Sequence, residues 1–178
     1  MTTPRDATVY YRRSRFTTHL PRDRRYSPAH YWLLEDTPGI WRVGFTRFAT
    51  RMLGDLVEVE FRVAPEATVA VGDDIGSVEG LKAVTTVFAA CAGTFLGEGG
   101  PLRSDITLAE SEPYGAGWLY RLQGTPAPDV VDVHGYVELL DRTIDRMLAS
   151  RHDDAGEPLD GETPDAAPGA AGREDDER

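Results

Sequence analysis

Ile75-Gly76-Ser77-Val78-Glu79-Gly80-Leu81-Lys82-Ala83-Val84-Thr85-Thr86-Val87-Phe88 reads as two β-prone stretches joined through Glu79-Gly80-Leu81-Lys82. β-Branched and aromatic residues fit a pleated strand, and Gly80 relieves backbone strain at a bend. The stretch is therefore expected to form a hairpin with Lys82 near its exposed tip. The surrounding chain is written in the same style. From 26 to about 123, short β-rich runs alternate with Gly, Pro and Asp, which predicts strands at 41–45, 56–61, 68–71, 75–78, 83–88, 94–96 and 117–122. Residues 49–53 suggest one helical turn. In 132–152 the period changes, because Val137, Leu140, Ile144 and Met147, with Leu148 at four from Ile144, recur every three or four residues behind an Asp132 cap. That pattern predicts a helix docked on the β body.

Lys82 stands apart by number as well as by place. The chain has eighteen arginines and this one lysine. A solvated positive charge can be either residue, but amide attachment of a prosthetic group needs a primary amine that can lose a proton, which guanidinium does not do. Lys82 is thus a candidate attachment site, to be weighed against an ordinary solvated hairpin lysine.

Charge is distributed unevenly around that centre. Residues 1–25 hold seven arginines against two acids, residues 153–178 hold ten acids against two arginines, and the net charge is −11. The body between them is acidic, which disfavours nucleic acid and suits partners with basic docking surfaces. Three units are expected: a basic extension at 1–19, a domain at 20–152, and a disordered acidic tail at 153–178, where no aromatic residue is available to build a core. The longest weakly polar stretch, 83–96, is too short for a membrane span, and the N-terminus lacks the apolar segment of a secretion signal. A soluble cytoplasmic monomer is expected. Cys91 is the only cysteine, so an internal disulfide cannot form. The four histidines show no spacing, to one another or to Cys91, that suggests a metal site or a catalytic set.

From about Leu20 to Leu148 the chain resembles the glycine cleavage system H protein family. The resemblance is carried by Arg25-Tyr26 with His30-Tyr31-Trp32, by Val43-Gly44-Phe45-Thr46, and by Leu53-Gly54-Asp55-Leu56-Val57. Gly72-Asp73-Asp74, Val78-Glu79-Gly80-Leu81-Lys82-Ala83 and Glu112-Pro113-Tyr114-Gly115-Ala116-Gly117-Trp118-Leu119 complete the series in order. The resemblance implies a mainly β fold, a flattened barrel-sandwich hybrid with a C-terminal helix and short helical turns. It further implies a carrier and not an enzyme, with lipoate on Lys82 and with Glu79 and Gly93 as the residues that lipoylating enzymes recognise. A biotin carrier would show Met-Lys-Met, where this chain has Leu81-Lys82-Ala83. The implied partners are a lipoate ligase or a lipoyl or octanoyl transferase, then glycine decarboxylase, aminomethyltransferase and dihydrolipoyl dehydrogenase.

One part of the family pattern is altered. Family members line an arm cleft with a serine, a glutamate, a histidine and an aspartate, and the matching positions here are read as Ala29, Tyr31, Phe48 and Thr86. A cationic cargo in such a cleft would lack its carboxylate partner. A different cargo is therefore the alternative, as in H-like lipoate-binding proteins of sulfur oxidation that work with heterodisulfide-reductase-like complexes. An unmodified scaffold, in which Lys82 stays bare, is a further alternative. Cys91 as a thiol that exchanges with the lipoyl dithiol, or as a hydrolase nucleophile, ranks below its reading as a packed hydrophobe.

Overall fold

The computed structural model describes residues 7–154. In chain order the strands are β1 (Thr8–Arg13), β2 (Phe16–Pro21), β3 (Arg25–Tyr26), β4 (Tyr31–Thr37) and β5 (Ile40–Phe45). After helix α1 (Arg47–Leu53) come β6 (Leu56–Phe61), β7 (Thr68–Val69), β8 (Asp74–Gly80), β9 (Val84–Phe88) and β10 (Cys91–Glu98). Short helices α2 (Gly100–Ser104) and α3 (Leu108–Ser111) precede β11 (Tyr120–Pro126) and the long helix α4 (Val133–Asp154). The described residues are thus mainly β with a C-terminal helix, as the sequence implies.

Among the described residues the strands form a six-stranded sheet, β3-β4-β5-β11-β10-β7, a three-stranded sheet, β6-β8-β9, and the separate pair β1-β2. The two larger sheets share one core. Val43, Phe95, Tyr120 and Leu122 from the first meet Ile75, Val78 and Val87 from the second in a single buried cluster. Two phenols tie the layers together: Tyr31 Oη accepts from the Phe88 amide at 3.0 Å, and Tyr120 Oη donates to the Phe88 carbonyl at 2.8 Å.

A second cluster covers the back of β3 and β4. Strand side chains alternate between faces, so Tyr31 and Leu33 enter the inter-sheet core while Trp32 joins Tyr26, Phe48, Tyr136 and Leu140 under α4. Both sides of β4 are therefore buried at its start. This explains why the apolar run at 31–34, which lacks alternation, is not among the strands expected from sequence. Asp132 does cap α4, accepting from the amides of His134 and Gly135 at 3.0 and 2.9 Å. The helical turn expected at 49–53 is the longer helix α1, started by buried Thr46, whose Oγ1 also lies 2.9 Å from Tyr136 Oη.

The basic extension expected at 1–19 is structured from Thr8 onward, and the boundary at residue 19 falls inside β2. The β1–β2 hairpin packs Tyr11, Phe16 and Leu20 into the second cluster and clips onto α4. Tyr11 Oη donates to Asp141 at 2.8 Å, and the Arg13 guanidinium grips Asp145 at 2.9 and 2.7 Å. Apart from the two residues that end α4, the acidic tail lies outside the described residues.

His30 supplies a test of this packing. Its ring lies against Phe48 and 2.9 Å from Tyr136 Oη, and burial lowers its pKa from 6.5 to about 4. Between those values the unfolded chain binds the proton that the folded chain refuses, so stability is held at neutral pH and lost as pH falls from 6.5 toward 4. The expected loss is about 2 kcal/mol after allowance for partial exposure. His30→Asn, which tolerates the left-handed backbone at φ 62°, should remove that part of the pH dependence in urea unfolding measured at pH 7 and pH 4.5.

Candidate functional site

Helix α1 ends at Leu53, where Gly54 adopts φ 75° and turns the chain. A helix end leaves its last carbonyls without intrahelical partners. Here the hairpin tip supplies a donor: the Lys82 amide donates to the Leu53 carbonyl at 2.9 Å, and the Leu81 amide donates to the Asp55 carbonyl at 2.9 Å. The Gly80 amide closes the turn onto the Ala83 carbonyl, also at 2.9 Å. The corner itself is held by Glu110, whose Oε1 accepts from the Leu56 amide at 3.0 Å. Three consecutive amides at the tip are therefore satisfied, two of them by a neighbouring element.

Two glycines permit this approach. A Cβ on Gly80 would stand 2.4 Å from the Leu53 carbonyl oxygen, and one on Gly54 would stand 3.0 Å from Cγ of Lys82. The Lys82 side chain is exposed, and among the described residues no ion pair engages it. Its neighbours Leu81 and Val84 are 73% and 69% exposed. A fixed backbone thus presents a free amine on an apolar, water-facing tip.

The outer face of the three-stranded sheet beside the tip is acidic. Glu58 on β6 stands directly opposite Glu79 on β8, which pairs in turn with Val84, and the next row is Glu60, Ser77 and Thr86. Like charges placed opposite each other on adjacent strands are unfavourable. The described ion pairs offer these three glutamates no cation. The result is a negative strip within a few residues of the lysine.

The structure places the residues singled out by sequence in several surroundings. Glu79 shares the hairpin with Lys82 and is exposed. Gly93 lies on β10 in the other sheet, opposite Gly124, and a Cβ there would sit 2.0 Å from the Gln123 carbonyl oxygen. Close backbone approach is thus one physical reason for glycine at 93. Ala29 is exposed in the turn before β4, Tyr31 is in the inter-sheet core stacked on Phe45, and Phe48 is in the second cluster against Phe16. Thr86 sits half-buried on the outer face of β9. Tyr31 and Phe48 therefore belong to separate clusters.

Met52 was not singled out by sequence. It is four residues after Phe48, so it shares that helical face, and it adjoins Leu53, whose carbonyl holds Lys82. It is 43% exposed. The spacing of four from Phe48 was the available signal. Cys91 is fully buried in the inter-sheet cluster, and burial pushes its thiol up to about 12, so it is protonated at neutral pH and has no path to an external disulfide. Among the described residues no group of three His, Cys, Asp or Glu is placed to hold a metal. None of their helices is long and apolar enough to cross a membrane.

A profile of the family described as glycine cleavage H-protein matches residues 24–141. The chain is 37% identical over 124 residues to the glycine cleavage system H protein of Pseudoalteromonas atlantica, covering 67% of this chain and 94% of that one. It is 32% identical over 129 residues to that of Escherichia coli, covering 70% and 98%. The crystal structure of a glycine cleavage system H protein from Mycobacterium marinum superposes with a TM-score of 0.60 at 32% identity, covering 67% of this chain and 97% of that one.

The clamp at the tip is testable by substitution. Gly80→Ala forces the hairpin away from Leu53 and is expected to cost about 1–3 kcal/mol in urea unfolding. Leu81→Ala, at an exposed neighbouring position, should stay within about 0.5 kcal/mol of the unchanged chain. Equal stability of the two variants would mean that the close approach carries no load.

Proposed function

The chain belongs to the glycine cleavage H-protein family, and on that premise we propose that it carries lipoate in amide linkage on Lys82. With that group it shuttles an aminomethyl cargo between glycine decarboxylase and aminomethyltransferase, and dihydrolipoyl dehydrogenase reoxidises it. It is a carrier and not a catalyst, and its work belongs in the bacterial cytoplasm.

The observation that carries this reading is the exposed primary amine on a backbone clamped by Leu53 and Asp55. A modifying enzyme needs to reach the nitrogen, and a swinging arm needs a root that stays still. Both needs are supported at this tip. When attached, a lipoyl group supplies a dithiol that accepts and releases the cargo. The residues of the chain do the rest: Glu79 and the acid row behind it offer carboxylates to a basic lipoate ligase or a lipoyl or octanoyl transferase, and Leu81 and Val84 give that enzyme apolar contact. Gly93 is assigned to the same recognition, with its backbone role beside it.

A second reading keeps the arm and changes the cargo, as in H-like proteins of sulfur oxidation. It is favoured by the uncharged side chains at Ala29, Tyr31, Phe48 and Thr86, the positions read as the arm cleft, which offer no ionised group to a cationic cargo.

Mass spectrometry after co-expression with lipoate ligase is expected to show the lipoyl increment on the peptide bearing Lys82 and none in Lys82→Arg. Glu79→Ala should slow modification about tenfold, as the loss of one charge-assisted contact of about 1.4 kcal/mol would do. An unmodified Lys82 would leave the scaffold reading. Lipoylated protein is further expected to support glycine-dependent bicarbonate exchange with a cognate glycine decarboxylase; a lipoylated chain without exchange would move the assignment to the second reading.

A further inference from the structure

An apolar groove of about 220 Å³ opens between the β1–β2 turn, helix α1 and the C-terminal half of α4. Its apolar lining is Phe16, Phe48, Met52, Ile144, Met147 and Leu148. Met52 and Leu148 are 43% and 37% exposed, so part of that lining faces water. The charged lining residues are Arg13, Arg15 and Arg51, with no acid among them. Arg13 is held by Asp141 and Asp145, whereas among the described residues no ion pair engages Arg15 or Arg51. The groove thus asks for an occupant that is apolar at its centre and negative at its edges.

We propose that it is the docking site of this chain's own acidic C-terminal segment, anchored by Leu159. Residues 155–178 carry eight acids against two arginines, and Leu159 is their one leucine, with no isoleucine, valine, methionine or aromatic residue beside it. It is the side chain of that segment with most to gain from burial. Acids flank it closely in Glu157-Pro158-Leu159-Asp160-Gly161-Glu162. Leu159 therefore matches the apolar lining, and Glu157, Asp160 and Glu162 match Arg15 and Arg51.

Size and reach agree. An apolar cavity of about 150 Å³ takes up the six carbons of benzene, so this larger groove admits the four of a leucine side chain. Helix α4 forms one wall and continues to Asp154. From Leu148 to Asp154 the helix rises about 9 Å at 1.5 Å per residue, and the five residues from Asp154 to Leu159 span up to about 17 Å when extended. Gly156 and Pro158 favour leaving the helix there. The segment is long enough to turn back along α4. Tethering also holds it near the groove at an effective concentration on the order of millimolar, so one leucine and a few charge pairs suffice. The pairing does not require lipoate on Lys82.

The test uses the full, unmodified chain with carbon-13 in its methionine methyl groups and a nitroxide on Gly161→Cys, since Cys91 is buried. The Met52 and Met147 signals are expected to lose most of their intensity to the nitroxide. Leu159→Ser and Arg15→Glu, each made in the labelled chain, should restore much of it, and neither alters the core. Full intensity in the first sample, or unchanged broadening in either variant, overturns the docking. Mixing nitroxide-labelled chains with separate carbon-13 chains is expected to leave Met52 and Met147 sharp. Broadening in that mixture would make a second copy the occupant and overturn the proposal as well.

Discussion

The hydrogen bonds from the Leu81 and Lys82 amides to the carbonyls of Asp55 and Leu53 are the constraint on which the molecule turns. They convert the unsatisfied end of a short helix into the seat of a hairpin tip. An isolated two-stranded hairpin is marginal in water, and its turn is its most mobile part. Here that turn is bonded to a second element that is itself tied to α4 through Thr46 and Tyr136. Everything proposed for the lysine depends on that chain of contacts.

The rest of the fold distributes its burial so that the tip stays in water. The inter-sheet core takes the inward face of β8 and β9, the two phenols of Tyr31 and Tyr120 fasten the far end of β9 at Phe88, and the second cluster secures α1 from behind. What remains outward on the hairpin beside Lys82 is the acid Glu79, the hydroxylic Ser77 and Thr86, and the apolar Leu81, Val84 and Phe88. Glu58 facing Glu79 opposes folding, and among the described residues no ion pair offsets it.

Much of this was legible in the chain itself. The hairpin announces itself through β-branched residues around a glycine turn, the C-terminal helix through its period, and Lys82 through its isolation among arginines. Less legible were features decided by tertiary packing. The strand at Tyr31–Thr37 hides its alternation because both of its faces are covered, and Thr8–Pro21 reads as a basic extension because its arginines mask the buried Tyr11, Phe16 and Leu20. Matching residues along a chain does not say which face of a strand or helix each one takes, and Tyr31 and Phe48 lie in different clusters while Met52, one turn later, directly precedes the Leu53 whose carbonyl holds the Lys82 amide.

A hairpin fastened at Gly80–Ala83 on one end and at Phe88 on the other has little travel of its own. Any sweep must then come from rotation about single bonds in one side chain, and its radius is a covalent length. A tethered group confined to so small a sphere is presented to any pocket within reach at an effective concentration on the order of millimolar, and to a pocket beyond reach at none. Encounter between partners is thereby set by docking distance, and affinity for the free cargo has little part in it.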